Sequence, residues 1–249
     1  MRHSRSSSMV PIYVKRQLKR VGTEEHHEVT VEASLEEAKE LSNWLWDGIH
    51  GLTVDGGLRE RLAIAALTVA LHHHKAIIFL LGNGSYQSFM ALLRPQTDAW
   101  VNGAWLHLCA TDKELEDFAA GKSHVMPKEI FDRLEAALDN EVIALIKKGR
   151  WKEMCDFTHT GILQLQRNLT ADTVEANYPE DELVRALEQA NACAVIATTF
   201  AAGVAGNKEL ADKLVERALK MAAPAEATNP DAQIADGEHL GRSDHPKET

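Results

Sequence analysis

The feature that most constrains the fold is a long segment, residues 58–81, that is apolar on nearly every side of a helix. Two glycines precede this segment and Gly82-Asn83-Gly84 follows it, and glycine commonly interrupts helices. A helix that is apolar all round needs neighbouring elements on all its sides. The segment therefore predicts a bundle in which this helix runs through the middle.

Helix signals follow one another along the rest of the chain. Ser34 with Glu37, and later Thr111 with Glu114, have the spacing of a capping box, in which a side chain caps the first free amides of a helix. The first pair predicts a helix over residues 34–49. Further helices are predicted at residues 85–110, 127–148, 151–169, 179–206 and 207–222. The pattern indicates an all-α fold, a multi-helix bundle.

Three segments divide the chain by composition. Residues 1–33 form a basic N-terminal arm, in which alternation at residues 12–14 and 29–31 predicts a short β-hairpin. Residues 34–222 form the helical bundle domain. Residues 223–249 carry six acids against two bases and no apolar period, and they are predicted to be a disordered acidic tail.

Charge and cysteine content exclude several classes of protein. A formal charge of −10 argues against a general nucleic-acid coat protein, although it leaves room for a local basic groove. The three cysteines are far apart and form no zinc or redox pair, so no cofactor is predicted. The best membrane candidate, residues 191–206, is too short and too rich in alanine to span a bilayer. We expect a cytoplasmic protein with no membrane partner.

Arg94 and Asp98 lie one helical turn apart on a largely apolar stripe. One interpretation is a structural ion pair that fixes helix register. The other is an anion or phosphate contact that faces a cleft. Pro95, between them, predicts either a kink or the start of a new helix.

His159 is the candidate acid or base, because imidazole titrates near neutral pH. It lies beside a predicted apolar seam. The alternative is a structural histidine that makes a hydrogen bond to a neighbouring group. Gly161 nearby is costly inside a helix and suggests the close approach of another group. The seam is formed by Trp151, Cys155, Thr158, Ile162, Leu165 and Leu169.

A metal site is not predicted. His72, His73 and His74 are consecutive, and successive helical residues point about 100° apart, so one helix cannot turn all three toward one ion. Asp156 and His159 have the spacing of helical carboxylate-histidine metal centres, but such centres need a second copy of the motif.

Two stretches carry a family resemblance. Leu92-Leu93-Arg94-Pro95, continuing through Asp98 to Gly103-Ala104-Trp105-Leu106, and Phe157-Thr158-His159-Thr160-Gly161 resemble uncharacterised bacterial helical proteins related to the HEPN superfamily. The likeness covers about residues 58–169. It implies a helical bundle, often a homodimer, with a role directed at RNA or nucleotides, since many members cleave RNA in stress or phage defence with an arginine and a histidine a few residues apart.

The chain departs from that spacing, because the formal match is Arg20 to His26, in a polar segment. Two hypotheses follow. In the first, the protein is a metal-independent ribonuclease or nucleotide-binding effector: His159 transfers a proton, Arg94 stabilises phosphate charge and Asp98 orients one of them. In the second, it is a non-enzymatic interaction or regulatory protein, a homodimer in which Arg94, Asp98 and His159 are structural.

Overall fold

The computed structural model describes residues 30–122, 125–138 and 151–222, and in these residues every regular element is an α-helix. The prediction of an all-α, multi-helix bundle is confirmed. The helices are α1 Val31–Ile49, α2 Leu58–Gly82, α3 Tyr86–Leu108, α4 Asp112–Ala119, α5 Pro127–Leu138, α6 Trp151–Thr158, α7 Ile162–Gln166, α8 Glu180–Val204 and α9 Lys208–Ala222.

Side-chain caps mark the starts of α1 and α4. Thr111 and Glu114 form the predicted capping box at the start of α4, and Pro179 directly precedes α8. The start of α1 differs from the prediction. Thr30 is its N-cap and accepts a hydrogen bond from the amide of Ala33, whereas Ser34 lies buried inside the helix. A threonine hydroxyl caps a helix as a serine hydroxyl does. The helix therefore begins after Thr30, ahead of the predicted cap at Ser34.

The predicted N-terminal hairpin falls mostly outside the described residues, as do the acidic tail and residues 139–148 of the predicted fifth helix. Its second strand cannot extend to residue 31, because Val31 is the first residue of α1. The amide of Val31 donates to the carboxylate of Glu180, 2.9 Å away, which joins the start of α1 to the start of α8.

The helix in the middle of the bundle is α8, so the central place predicted for residues 58–81 is wrong. Sixteen residues of α8 are buried, including the run from Ala192 to Thr198, and α8 packs against α1, α2, α3 and α9. In α2 only eight residues are buried, while Val69 and Phe79 are 45% and 68% exposed. Alanine is small enough for neighbours to approach α8 on every side, whereas larger residues of α2 remain on an outer face.

Among the described helices, α2 is long and apolar enough to cross a membrane, rather than residues 191–206. Its inner face is packed into the bundle, and the core helix of a soluble protein passes the same test of length and composition.

A buried polar layer crosses the bundle between two apolar clusters. Nε2 of His74 lies 2.8 Å from Oδ1 of Asn191, and since an amide oxygen only accepts, Nε2 donates. At the same level the amide of Gln96 donates to the carbonyl of Ala190, 2.8 Å away. These bonds tie α2 and α3 to α8, and a shift of either helix by one turn would leave buried polar groups without partners.

His74 makes stability depend on pH. Burial lowers the pKa of His74 from its ordinary 6.5 to about 4, against the opposing effect of its bond to Asn191. The unfolded chain therefore binds the proton first, so this contribution to stability is complete above pH 6.5 and is lost as the pH falls toward 4.

We predict that, as the pH falls from 6.5 to 4, the free energy of unfolding decreases by about 3 kcal/mol less in the double variant His74→Leu/Asn191→Leu than in the wild type. Urea unfolding at several pH values measures the difference. Parallel pH profiles for the two proteins would contradict it.

Gly103 allows α3 to approach α2 closely. A Cβ at this position would lie 2.6 Å from Cγ of Leu67 and 3.1 Å from the backbone oxygen of Ala63. Gly103→Ala is therefore expected to destabilise the fold by about 1–3 kcal/mol, because α3 must move away from α2. Gly203 in α8 is the matched control, since no atom lies within 4 Å of its Cβ position. Gly203→Ala is expected to stabilise the fold by about 0.5 kcal/mol, because alanine favours the helix more than glycine does. Thermal unfolding of the two variants measures the difference. Equal changes in stability would contradict the close approach of α3 to α2.

Candidate functional site

Arg94 is held by three groups where α6 crosses α3. Its Nε donates to Asp98, 3.0 Å from Oδ2, and its Nη1 donates to Sγ of Cys155. Its guanidinium carbon lies 4.0 Å from the ring centroid of Trp151, in cation–π geometry. The Arg94 side chain is only 15% exposed. The predicted ion pair is formed within α3. The further contacts of Arg94 with Cys155 and Trp151 join α3 to α6.

Pro95 supplies a second link between the same helices. It lies inside α3, which runs on without a fresh start, and its missing N–H removes the usual helical donor to the carbonyl of Ala91. The hydroxyl of Thr158 lies 3.1 Å from that carbonyl and 2.7 Å from the carbonyl of Met154. Its single hydrogen is shared between the two oxygens, so α6 provides the donor that proline removes from α3.

Asp98 and His159 lie at the solvent edge of this junction. Burial raises the pKa of Asp98 above its ordinary value, although the positive charges of Arg94 and His159 act in the opposite direction. His159 is exposed and lies within electrostatic range of Asp98. Within the described parts of the chain, no hydrogen bond joins its ring to Asp98 or Arg94. Arg94 and Asp98 are therefore in direct contact, whereas His159 acts on Asp98 only through its charge.

The helix that begins at Trp151 ends sooner than predicted, and this changes the seam. Thr160 has a φ of 55°, the chain turns, and Gly161 becomes the N-cap of the short helix α7. Met154 and Phe157 are the buried residues of α6. The second half of the predicted seam is wrong, because the turn leaves its members exposed: Ile162, Leu165 and Leu169.

Gly161 does mark a close approach, and the group is a carboxylate of its own chain. A Cβ on Gly161 would lie 2.1 Å from Oδ1 of Asp156. Oδ2 of Asp156 accepts from the amide of Leu163, so the carboxylate caps α7. Asp156 is therefore engaged in local structure beside His159.

The three consecutive histidines point to different surroundings, as their spacing requires. His72 packs edge-on against Trp46, with ring centroids 4.8 Å apart, and His74 is buried against Asn191. Burial and the charge of His72 lower the pKa of His73. No group of three potential metal ligands occurs among the residues that the structure describes.

The partners of Arg94 on α6 were not identified as such from the sequence. Trp151, Cys155 and Thr158 share one face of a helix, and their spacing predicts an apolar seam. Nothing in the spacing says which helix the seam faces. Pro95 is the sequence signal for such a contact. A proline inside a helix leaves one carbonyl without its usual donor, and that carbonyl requires a donor from another part of the chain.

A family model described as a family of unknown function, DUF6988, matches residues 67–222. The matched region runs from within α2 to the end of α9 and includes Arg94, Asp98 and His159. No curated protein sequence and no solved structure matches the chain.

Arg94→Ala is predicted to lower the free energy of unfolding by about 2 kcal/mol, because it removes both the ion pair and the cover over Trp151. This is less than the loss for a fully buried pair, since the Asp98 side chain is 39% exposed. Lys113→Ala, which breaks the exposed pair with Asp117 at the same spacing, is the control and should cost less than about 0.5 kcal/mol. Chemical denaturation measures both values. Equal losses would show that Arg94 does not hold the junction.

Proposed function

The chain belongs to this family of unknown function, and from that premise we propose that it is a non-enzymatic interaction protein that acts as a homodimer. The observation that carries this proposal is the engagement of Arg94. Its guanidinium already has a carboxylate, a sulfur and an aromatic ring as neighbours.

An arginine that binds phosphate needs free N–H groups that face the ligand. In Arg94 both Nε and Nη1 donate within the protein, and Trp151 covers the guanidinium plane. A phosphate contact through Nε would have to displace Asp98, and access to the remaining N–H groups is limited because the Arg94 side chain is only 15% exposed. The geometry therefore favours a structural role, in which Arg94 and Thr158 determine how α6 packs on α3.

The likeness to the HEPN superfamily enters as part of this proposal. The chain would belong to a non-catalytic branch, which retains the helical bundle and the homodimer that the resemblance implies. Arg20 and His26, which have the catalytic spacing of that superfamily, lie outside the described residues. We also propose that the protein is soluble and cytoplasmic, with the inner face of α2 in the bundle core.

A ribonuclease remains the second candidate because of one observation: exposed His159 lies within electrostatic range of Asp98. In this alternative, substrate RNA would draw Arg94 away from Asp98, and His159 would transfer the proton. No metal would be required. The proposed interaction protein and this alternative differ in what purified protein does to RNA.

The experiment measures RNA binding and cleavage in chelator by the wild type, Arg94→Ala and His159→Ala. His50→Ala is the matched control, because His50 is also exposed but lies at the end of α1. Circular dichroism checks the fold of each protein, and light scattering gives its mass. We expect no binding, no cleavage and the mass of a dimer. Cleavage that is lost in folded His159→Ala and kept in His50→Ala would establish the ribonuclease instead.

A further inference from the structure

The outer face of α2 carries an apolar stripe with a regular spacing. Its members alternate four and three residues apart, which is the a/d repeat of a helix that packs against another helix. We name this set the outer stripe: Leu58, Leu62, Ala65, Val69, His72, Ala76 and Phe79.

Most of the outer stripe faces away from the protein's own core, while Leu62 and Ala76 are half-buried and Leu62 packs against the core. Phe79, Val69 and Leu58 are 68%, 45% and 39% exposed, and Ala65 and His72 are also exposed. The buried residues of α2 occupy the other side of the helix, where α3 and α8 pack. Single exposed apolar residues are ordinary, but a repeat maintained over three heptads on one exposed face is characteristic of a helix interface.

We propose that a second copy of this chain docks on the outer stripe, with the two α2 helices antiparallel. This inference rests on the proposed homodimer and names its interface. A two-fold axis beside Val69 would set Leu58 opposite Phe79 of the second copy and Leu62 opposite Ala76. Large residues then meet small or terminal ones along the stripe, as interdigitated packing requires.

The area of this face is sufficient for a dimer. From Leu58 to Phe79 the helix extends about 32 Å, at about 1.5 Å per residue. α1 borders the outer stripe on one side, with Trp46 against His72, whereas Gly103 of α3 contacts Leu67 on the buried side of α2. With helices about 10 Å across and the axes of α1 and α2 about 8–10 Å apart, the face is about 18–20 Å wide and measures roughly 600 Å², the lower end of one partner's share of a standard interface.

The charges along the face also suit a second copy. Between residues 61 and 82 of α2 the charged residues are Arg61 and Lys75, whereas α1 carries five acids and one lysine. Gly82, one heptad after Lys75, lies beside Leu35, so this edge of α2 borders α1. In an antiparallel pair the α1 edges of both copies lie on the same side. Each basic edge then approaches the acidic α1 of the other copy.

The test is the mass of the full chain in solution, measured by light scattering over a range of concentrations. We expect the wild type to be a dimer and Val69→Glu and Phe79→Glu to dissociate at concentrations at least tenfold higher than the wild type. Met126→Glu is the matched control, because Met126 is 66% exposed outside α2 and should leave the dimer intact. Circular dichroism confirms that each variant is folded.

Cysteine variants test the orientation. Under oxidation Val69→Cys should form a cross-linked dimer, since two copies of residue 69 meet near the axis, while Phe79→Cys should not. The unmodified protein, with its own three cysteines, gives the background. Efficient cross-linking of Phe79→Cys would overturn the antiparallel arrangement.

The remaining outcomes separate this inference from the proposed function. If folded Val69→Glu and Phe79→Glu remain dimers, the interface lies elsewhere and the inference fails while the homodimer stands. If the wild type is a monomer, both fail. If monomeric wild type binds vesicles of anionic lipid and Phe79→Glu does not, the outer stripe meets a membrane instead and the inference is overturned.

Discussion

The close packing around α8 is the constraint on which the rest of the structure depends. Its buried run from Ala192 to Thr198 allows neighbouring helices to approach from several sides, so α1, α2, α3 and α9 are arranged around it. A helix packed this way has little free space for polar groups. One polar layer nevertheless crosses this packing, where His74 donates to Asn191 and the amide of Gln96 donates to the carbonyl of Ala190. That layer fixes the register of α2 and α3 along α8, because any shift would strand a buried donor.

The junction of α3 and α6 is built on a complementary principle. Pro95 leaves the carbonyl of Ala91 without its helical donor, and Thr158 of α6 supplies one. About one turn further along α3, Arg94 contacts Cys155 and Trp151 while its Nε is paired with Asp98. The two stretches whose motifs carry the family resemblance are thus the two sides of one helix contact. A polar contact of this kind specifies packing, and its occupied arginine is why we favour an interaction protein over a phosphate-binding enzyme.

The limits of prediction are clearest in α2 and in the segment after α6. The residues of α2 are apolar on nearly every side, and this pattern predicted a helix buried in the bundle. Periodicity alone cannot show whether the apolar neighbours are helices of the same chain or another molecule. The predicted seam through Leu169 continued a helical period across Thr160 and Gly161, where the chain turns. For the candidate site, sequence spacing gave the Arg94–Asp98 pair, but the placement of His159 near Asp98 depends on how α6 lies across α3.

The sequence by itself determined the helical class and most helix ends, because caps, glycines and prolines act within about one turn of the chain. Thr111 with Glu114, Pro179 and Gly82 each mark an end that the structure retains. Tertiary structure alone decided that α8 rather than α2 is central. It also decided which groups surround Arg94. Those outcomes depend on side-chain volumes summed over several helices at once, and alanine, a weak hydrophobic signal in the sequence, is small enough to allow the close packing around α8.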